Sequence, residues 1–443
     1  MKIGLFTDTY RPSINGIVYV VESTKKHLEA LGHEVYIFCP AQTIRPSKNI
    51  VAVEEDNRIV RFPSVKGLFF DDNDVSLFFP PRVLRQIKEL ELDMIHIFSP
   101  GQVGLMGIYA AHKNDTPLVA QHCTDIREYA EHYNDGIILT GLLALLAILP
   151  FTVRIDGKDL REIIRLYRPR RDRIKWNTDI VERIVTIIYS KCDAVIALSR
   201  KSKKQLESWQ NADNYTYEVT LKPDGVTPIP TSTRDEQRAF RDEHGIAGTD
   251  RLVTFVGRLG AEKNLDMLIP VIEQVHATHA DARLVFVGDF EHRVVLEELA
   301  SASLCPDRIT FTGALPRESL RRAYDTSDVF VFPSLTDTQG WVVHEAAYAG
   351  LPIVMIDTDL SEVVVDGENG YIVPNDVNDF AAAVSRVLSD PDLAKDFSKK
   401  SLELASQFNE AGQIEKLVKI YDVAAAKHAT KKLDRKPRRP FRR

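Results

Sequence analysis

The sequence predicts an α/β protein made of two Rossmann-like domains, each with a parallel sheet flanked by helices. The chain has 443 residues, which is too long for one hydrophobic core and suits two domains of about 200 residues each. The order strand, loop, helix, strand occurs near residue 2 and begins again near residue 252. Between these repeats, the stretch GVTPIPTST at residues 225–233 has the proline and threonine content of an interdomain linker. We therefore predict domains at residues 1–222 and 223–408.

The composition is that of a soluble globular protein, with 44% hydrophobic and 27% charged residues. The cysteines are too scattered for a metal site or a disulfide framework, which favours a reducing cytoplasm. They are Cys39, Cys123, Cys192 and Cys305. The N-terminal MKIGLFTD begins as a strand at once, so we expect no signal peptide and a cytoplasmic protein.

The charge is unevenly distributed along the chain. The formal net charge is −6, yet residues 427–443 carry nine Lys or Arg against one acidic residue. We predict a basic, disordered tail there. Such tails bind anionic membranes or nucleic acid in some proteins and are simply solvated in others, and we expect no nucleic acid here.

The first domain opens with a βαβ unit. Residues 2–8 predict a strand, residues 9–16 (TYRPSING) a loop, and residues 17–31 a helix. The loop contains Gly16 but lacks the spaced glycines of a dinucleotide fingerprint, which argues against an NAD enzyme. No Walker A pattern occurs in the chain.

Two histidines lie on predicted strands of the first domain. His96 lies inside the strand of residues 93–98, where a core histidine is expected. His122 follows the strand that begins at residue 117, at the carboxyl end where open α/β sheets bind their ligands. His122 is therefore a candidate site residue.

An apolar stretch is followed by a basic one within residues 136–176. Residues 136–153 carry no charge, but the run falls short of the roughly 20 residues of a membrane span and contains Pro150. Residues 160–176 contain six arginines and a lysine. The stretch is either a surface-lying anchor on anionic lipid or a buried helix followed by a solvated basic helix.

The second domain places charged residues in loops after two predicted strands. Arg258 and Lys263 lie in the loop of residues 257–264 and could hold a diphosphate. In the stretch of residues 334–352, a loop with Asp337 leads into a helix with Glu345, eight residues later. A strand, a loop and a helix N-terminus form an anion cradle, because the first helical N–H groups have no partner in the helix.

At these motifs the chain resembles the retaining family 4 glycosyltransferases. DTQGWVVHEA resembles their paired-acid signature, although Asp337 stands where the family usually has Glu. GRLGAEK is similar to their diphosphate clamp, and PLVAQHCTDIREYAEHY is similar to the acceptor-domain segment of members that glycosylate membrane lipids. The likeness runs from residue 2 to about 426 and is weakest at residues 136–176.

The resemblance implies a GT-B fold, with two Rossmann-like parallel-sheet domains facing across a cleft and a helix at residues 409–426 crossing back to the first domain. It also implies roles for individual side chains. The catalytic residues would be His122, Asp337, Arg258 and Lys263. The donor would be bound by Gly16, Arg258, Lys263, Gly313, Leu315, Gln339, Gly340, Trp341 and Glu345. The nucleotide-diphosphate sugar is a substrate, and no cofactor and no metal site are expected.

The resemblance therefore implies a retaining hexosyltransferase acting on a membrane lipid, of the diacylglycerol or phosphatidylinositol type, and we expect it peripherally on the inner face of the cell membrane. Three alternatives stay open: a soluble acceptor, a nucleotide-sugar-binding protein without turnover, and an epimerase of nucleotide sugars. Base recognition in this family is largely by backbone, so the sequence leaves open whether the donor carries UDP, GDP or ADP.

Overall fold

The structure is a computed structural model that describes residues 1–13, 15–41, 57–66, 74–76, 80–125, 127, 136–168, 171–210 and 215–434. Contacts between Cα atoms divide the chain into two compact units. The first unit comprises Met1–Leu198, Ser202–Asp224 and Glu410–Arg443, and the second comprises Ser199–Lys201 and Gly225–Asn409.

The described strands of the first unit form a seven-stranded parallel sheet and a separate antiparallel pair. The strands are β1 (Lys2–Phe6), β2 (Glu34–Pro40), β3 (Ile59–Phe62), β4 (Ser64–Lys66), β5 (Asp74–Ser76), β6 (Met94–Ile97), β7 (Leu118–His122), β8 (Ala194–Ala197) and β9 (Val219–Leu221). The order in the sheet is β3-β2-β1-β6-β7-β8-β9, and β4 pairs with β5 outside it.

Helices cover both faces of this sheet, as a parallel sheet requires. They are α1 (Gly16–Ala30), α2 (Pro81–Leu90), α3 (Gln102–Asn114), α4 (Gly136–Thr152), α5 (Gly157–Leu166), α6 (Arg173–Tyr189) and α7 (Arg200–Ser208). Successive strand residues pack into opposite cores, so Leu5 joins the cluster containing Val18 of α1, while Phe6 joins the cluster containing Met106 of α3.

The second unit contains a six-stranded parallel sheet among its described residues. Its strands are β10 (Arg251–Val256), β11 (Ala282–Val287), β12 (Ile309–Gly313), β13 (Val329–Phe332), β14 (Ile353–Met355) and β15 (Gly370–Ile372). Its helices are α8 (Arg234–Glu243), α9 (Leu268–Thr278), α10 (Arg293–Ser301), α11 (Arg317–Asp325), α12 (Trp341–Tyr348), α13 (Val377–Ser389) and α14 (Pro391–Ser406). The strand order is β12-β11-β10-β13-β14-β15.

This order contains a topological switch point. The chain adds β11 and β12 on one side of β10 and then returns to place β13 on the other side. Ligands of open α/β sheets bind outside the carboxyl ends of the strands at such a point, because the connections diverge there and leave a crevice.

The last described helix, α15 (Glu410–Asp434), belongs to the first unit. It packs Leu417, Tyr421 and Ala424 into the sheet core. His96 on β6 is fully buried, with its Nδ1 2.7 Å from the Tyr421 hydroxyl, and burial lowers the pKa of His96 to about 3. His96 is thus a core histidine.

The predicted start of a disordered tail at residue 427 is wrong, because α15 continues to Asp434. His428 Nδ1 lies 2.9 Å from Oδ2 of Asp193, and Lys431 Nζ lies 3.0 Å from Oδ1 of the same carboxylate. Lys432 forms an ion pair with Asp115 at 2.9 Å. These contacts hold the final turns of the helix against the loops that precede β7 and β8. The rest of the predicted tail lies outside the described residues.

Residues 136–176 contain α4, α5 and the start of α6, which is one helix more than in the alternative of a buried helix followed by a basic helix. In α4, Leu142, Leu146 and Leu149 are buried in the core. The basic stretch is divided between α5 and the start of α6. Among the described residues, no helix combines the length and the apolar character needed to cross a membrane.

Candidate active site at the switch point of the second unit

The loop after β10 fixes the position of Arg258. Nη2 of Arg258 donates to Oε1 of Glu262 at 2.7 Å, and Cζ lies 4.5 Å from the centroid of the Phe290 ring. Glu262 is buried, and its carboxylate packs so closely on Gly260 that a Cβ there would lie 2.2 Å from Oε2. The carboxylate and the ring therefore restrain a guanidinium that is 37% exposed.

An ion pair connects this loop to the loop after β13. Nζ of Lys263 donates to Oδ1 of Asp337 at 2.7 Å, and the two side chains are only 14% and 21% exposed. Burial tends to raise the pKa of Asp337, but the charge of Lys263 and its hydrogen bond hold that pKa below its ordinary value. Thr336 Oγ1 also donates to the carbonyl oxygen of Glu262 at 3.1 Å. The two loops that border the switch point are thus fixed to each other.

The helix after the second loop begins at Trp341 because Gly340 allows a sharp change of direction. Gly340 has φ of +65°, and a Cβ there would lie 3.2 Å from Cγ2 of Val343 and 3.3 Å from Cδ2 of Leu360. Glycine adopts this left-handed conformation without steric cost. The turn aims the positive end of α12 toward the carboxyl edge of the sheet.

Glu345, one turn inside α12, is buried and held by two side chains of α11. Oε1 lies 2.6 Å from Nη1 of Arg317, and Oε2 accepts a hydrogen bond from the Tyr324 hydroxyl at 3.0 Å. Burial raises the pKa of Glu345, although Arg317 and Tyr324 both oppose that shift. The guanidinium of Arg317 also stacks on Trp341, with Cζ 4.9 Å from the ring centroid.

Three further predicted residues lie near the carboxyl ends of the strands. Gly313 ends β12 with φ of +76°, and its carbonyl oxygen accepts from the Gly288 amide at 3.0 Å, which joins the ends of β11 and β12. Leu315 follows it and packs partly against the core. Gln339, in the loop before Gly340, is buried.

The remaining predicted residues, His122 and Gly16, belong to the first unit. His122 ends β7 and is 1% exposed, with Nδ1 3.0 Å from the Tyr189 hydroxyl. Burial lowers the pKa of His122, and Nε2 has no hydrogen-bond partner among the described residues. Gly16 is the first residue of α1, whose N-terminus is capped by Asn15 Oδ1 accepting from the Val18 amide at 3.1 Å.

The predicted residues of the second unit thus fall into two contact groups at one edge of its sheet. In the first group, Lys263 forms an ion pair with Asp337, and Arg258 lies in the same loop as Lys263. In the second group, Arg317 contacts both Trp341 and Glu345. The sequence reasoning missed the carboxylate and side chains that hold these residues. They are Glu262, Arg317 and Tyr324. Glu262 lies within the GRLGAEK motif beside Arg258 and Lys263, which was a visible signal. Nothing local marked Arg317 or Tyr324.

Comparison with known proteins places both units in one class of enzyme. The family described as Glycosyltransferase Family 4 matches residues 14–216, and the family described as Glycosyl transferases group 1 matches residues 236–403. An alpha-monoglucosyldiacylglycerol synthase of Acholeplasma laidlawii is 25% identical over 413 residues, which are 90% of this chain and 92% of that protein. A GDP-mannose-dependent alpha-mannosyltransferase of Mycolicibacterium smegmatis is 26% identical over 358 residues, 81% of this chain and 80% of that protein.

Solved structures agree at the level of the fold. HepE of Anabaena, solved in complex with UDP and glucose, superposes with a TM-score of 0.65 at 15% identity, over 95% of this chain and 99% of HepE. The two family matches follow one another along the chain, the first before the 225–233 linker and the second after it. With its two Rossmann-like parallel-sheet domains, the chain belongs to the family 4 glycosyltransferases of GT-B fold.

Proposed function

We propose that this glycosyltransferase moves a hexose, with retention of anomeric configuration, from a nucleotide-diphosphate sugar to a membrane lipid of the diacylglycerol or phosphatidylinositol type. The assignment of a nucleotide-sugar donor rests on the Lys263–Asp337 ion pair of 2.7 Å, next to the Arg258 loop at the switch point. The acceptor half rests on relatives that include an alpha-monoglucosyldiacylglycerol synthase, and on an exposed apolar and basic surface of the first unit.

The donor site has to neutralise a leaving diphosphate while positive charge develops at the anomeric carbon. Arg258 and Lys263 supply two cations, and the N-terminus of α12 after Gly340 supplies a partial positive charge. Asp337 keeps Lys263 in place and accepts hydrogen bonds from the sugar hydroxyls. No cofactor is assigned to the reaction.

Other residues hold the nucleoside and the sugar. Glu345 accepts hydrogen bonds from the ribose hydroxyls, with Gln339 and Trp341 beside it. The backbone of Gly313 and Leu315 lies against the base. We also assign Gly16, the first residue of α1, to donor binding.

Transfer exchanges one bond at the anomeric carbon for another. The bond from that carbon to the diphosphate oxygen breaks, and the acceptor hydroxyl oxygen bonds to the same face of the sugar. The hydroxyl proton passes to the departing phosphate, so that no covalent sugar-enzyme intermediate is required. We also assign His122 a role in the reaction, because its buried Nε2 has no hydrogen-bond partner among the described residues.

The proposed lipid surface comprises α5 and the end of α4. Phe151 is 72% exposed, Ile164 55% and Leu160 45%, values that are high for large apolar side chains. Exposed basic residues, among them Arg161 and Arg165, alternate with them. Apolar side chains interleaved with cations are what an interfacial helix uses on an anionic bilayer.

The orientation of α5 is fixed by its buried side, which leaves this surface outward. Asp159 is 1% exposed, forms an ion pair with Lys191 at 2.8 Å, and accepts a hydrogen bond from the Tyr215 hydroxyl at 2.8 Å. Ile163 and Leu166 are in the core. Rotating the helix to hide Leu160 and Ile164 would expose these groups. The surface therefore supports peripheral binding on the inner face of the cell membrane.

Sedimentation with vesicles tests the acceptor half. We expect the protein to bind phosphatidylglycerol vesicles and to lose that binding in the Leu160→Ser/Ile164→Ser variant. The matched control is Val294→Ser/Val295→Ser on α10, which removes two apolar side chains exposed by 62% and 41% from the second unit. A wild-type protein that ignores anionic vesicles favours a soluble acceptor.

Release of nucleoside diphosphate tests the donor half. The wild-type protein is mixed with UDP-, GDP- and ADP-linked hexoses in the presence of diacylglycerol or phosphatidylinositol vesicles, beside Lys263→Ala and Glu345→Ala. We expect one donor to yield nucleoside diphosphate and both variants to release far less. Binding without release in every mixture would favour a nucleotide-sugar-binding protein without turnover, and sugar isomerisation without transfer would indicate an epimerase.

A further inference from the structure

Arg317 contacts Glu345 and Trp341, two residues that the proposed function assigns to nucleoside binding. Its Nη1 lies 2.6 Å from Oε1 of Glu345, and its Cζ lies 4.9 Å from the Trp341 ring centroid. Its Nη2 donates to the carbonyl oxygen of Thr227 at 3.4 Å. Arg317 is the first residue of α11, and its side chain is 20% exposed. These three contacts hold its guanidinium in place.

The Glu345 carboxylate is fixed from both sides. Arg317 meets Oε1, and the Tyr324 hydroxyl donates to Oε2 at 3.0 Å. An ionised carboxylate offers about four lone-pair positions, so both oxygens can still accept from a diol. Arg317 and Tyr324 leave the carboxylate able to bind while they remove its freedom to rotate.

We propose that Arg317 is a positioning residue for nucleoside binding, which holds the Glu345 carboxylate charged and oriented toward the ribose hydroxyls through its ion pair and its stacking on Trp341. The inference rests on the proposed function. It adds Arg317, which lies on a different helix from Glu345. The affinity for the ribose depends on Arg317, although Arg317 itself need not contact the ribose.

The charge of Arg317 matters because Glu345 is buried. Burial raises the pKa of Glu345, and Arg317 is the main group that opposes this shift. Among the described residues, the titratable and charged side chains facing Glu345 are Arg317 and Tyr324, while the neighbouring His344 faces Ser361 and Phe408. Without Arg317 the pKa of Glu345 rises further. The carboxylate then takes up a proton as the pH falls, and a protonated carboxyl no longer accepts from both ribose hydroxyls.

The test is calorimetric binding of UDP, GDP and ADP to Arg317→Gln and Arg317→Lys between pH 6 and pH 8. The terminal phosphate of each nucleotide itself titrates at about pH 6, so the wild-type pH profile is the reference. The glutamine variant should bind more weakly and lose further affinity relative to the wild type as the pH falls, by on the order of tenfold across the range, because uptake of one proton changes affinity by up to about tenfold per pH unit. The lysine variant keeps the charge and should keep the wild-type pH profile.

Two controls separate this role from a structural one. Arg322→Gln removes an arginine of the same helix that also pairs with a carboxylate, Glu243 at 3.1 Å, and lies over a ring, Phe240 at 5.8 Å. We expect its binding and pH profile to match the wild type. Inorganic pyrophosphate has no ribose, and the 2′-deoxy nucleotide lacks one of the two ribose hydroxyls. Arg317→Gln should therefore change the affinity for pyrophosphate least and the affinity for the 2′-deoxy nucleotide less than that for the ribonucleotide.

The outcomes are distinct. If the wild type binds no nucleoside diphosphate, the proposed function fails. If it binds one and Arg317→Gln binds that nucleotide equally well with the wild-type pH profile, the function stands and the role of Arg317 is wrong. Should Arg317→Gln not fold, Arg317→Lys decides: the wild-type pH profile with ribose-dependent loss of affinity supports the proposal, and equal losses for pyrophosphate and nucleotide overturn it.

Discussion

Replacing Lys263 with methionine removes one charge from the ion pair that joins the two switch-point loops. The side chains of Lys263 and Asp337 are 14% and 21% exposed, so the variant leaves a mostly buried carboxylate without its cation. Losing one partner of a fully buried pair costs roughly 3–5 kcal/mol. Because this pair is partly exposed, we expect a loss of about 1–3 kcal/mol, or about 2–4 °C in Tm for each kcal/mol in a domain of this size.

The same change should reduce catalysis more than stability alone explains. Removing one donor that stabilises developing charge typically lowers the rate by roughly 100- to 1000-fold. We expect kcat/KM for nucleoside diphosphate release to fall by about that factor. The double variant Lys263→Met/Asp337→Asn carries neither charge, so its thermal stability should recover while its activity should not.

Lys400→Met is the matched control in the same unit. Lys400 also forms ion pairs, with Glu368 at 3.3 Å and Glu403 at 3.2 Å, but its partners are 52% and 60% exposed. We expect no resolvable change in Tm and no change in activity, because exposed ion pairs contribute little to stability. If Lys263→Met folds and retains a third or more of the wild-type kcat/KM, Lys263 does not stabilise the leaving diphosphate.

Three other features give testable expectations. Gly340→Ala forces a side chain into a φ of +65° and within 3.2 Å of Val343 Cγ2, so we expect thermal unfolding to show a loss of about 1–2 kcal/mol and weaker donor binding. Burial lowers the pKa of His344 from 6.5 to about 4, so the unfolded chain binds more protons below pH 6.5 and stability falls as the pH drops toward 4. At pH 5 this loss of unfolding free energy is about 2 kcal/mol. The stability of His344→Gln, measured by urea unfolding, should therefore depend less on pH than that of the wild type. His428→Gln removes the contact with Asp193 at 2.9 Å, so amide hydrogen exchange in the last turns of α15 should speed up while donor binding is unchanged.

The fold and the place of the candidate site could be predicted because both depend on local patterns. The β-branched and aromatic run at residues 329–332 is typical of a buried strand, and a loop with Gly340 before a helical pattern indicates the strand–loop–helix order. Parallel strands end at one edge of the sheet, so loops after β10 and β13 come together once those strands are neighbours. The Lys263–Asp337 contact follows from that topology.

Contacts that depend on how helices pack could not be predicted. Lys431 and Lys432 read as part of a solvated basic tail, because their partners Asp193 and Asp115 lie more than 230 residues earlier in the chain. Arg317 and Glu345 lie on different helices, and nothing in their spacing pairs them. The Glu345 carboxylate is thus buried and held by Arg317, which the sequence pattern did not indicate.

The most direct test of the central claim is the anomeric configuration of a lipid-linked product. The protein is incubated with the donor that supports nucleoside diphosphate release and with anionic vesicles containing diacylglycerol or phosphatidylinositol, and the lipid fraction is examined by proton NMR. We predict one hexose on the lipid hydroxyl, with the α configuration of the donor. Sugar on the lipid in the β configuration would contradict retention, and nucleoside diphosphate release with no sugar in the lipid fraction would contradict a lipid acceptor.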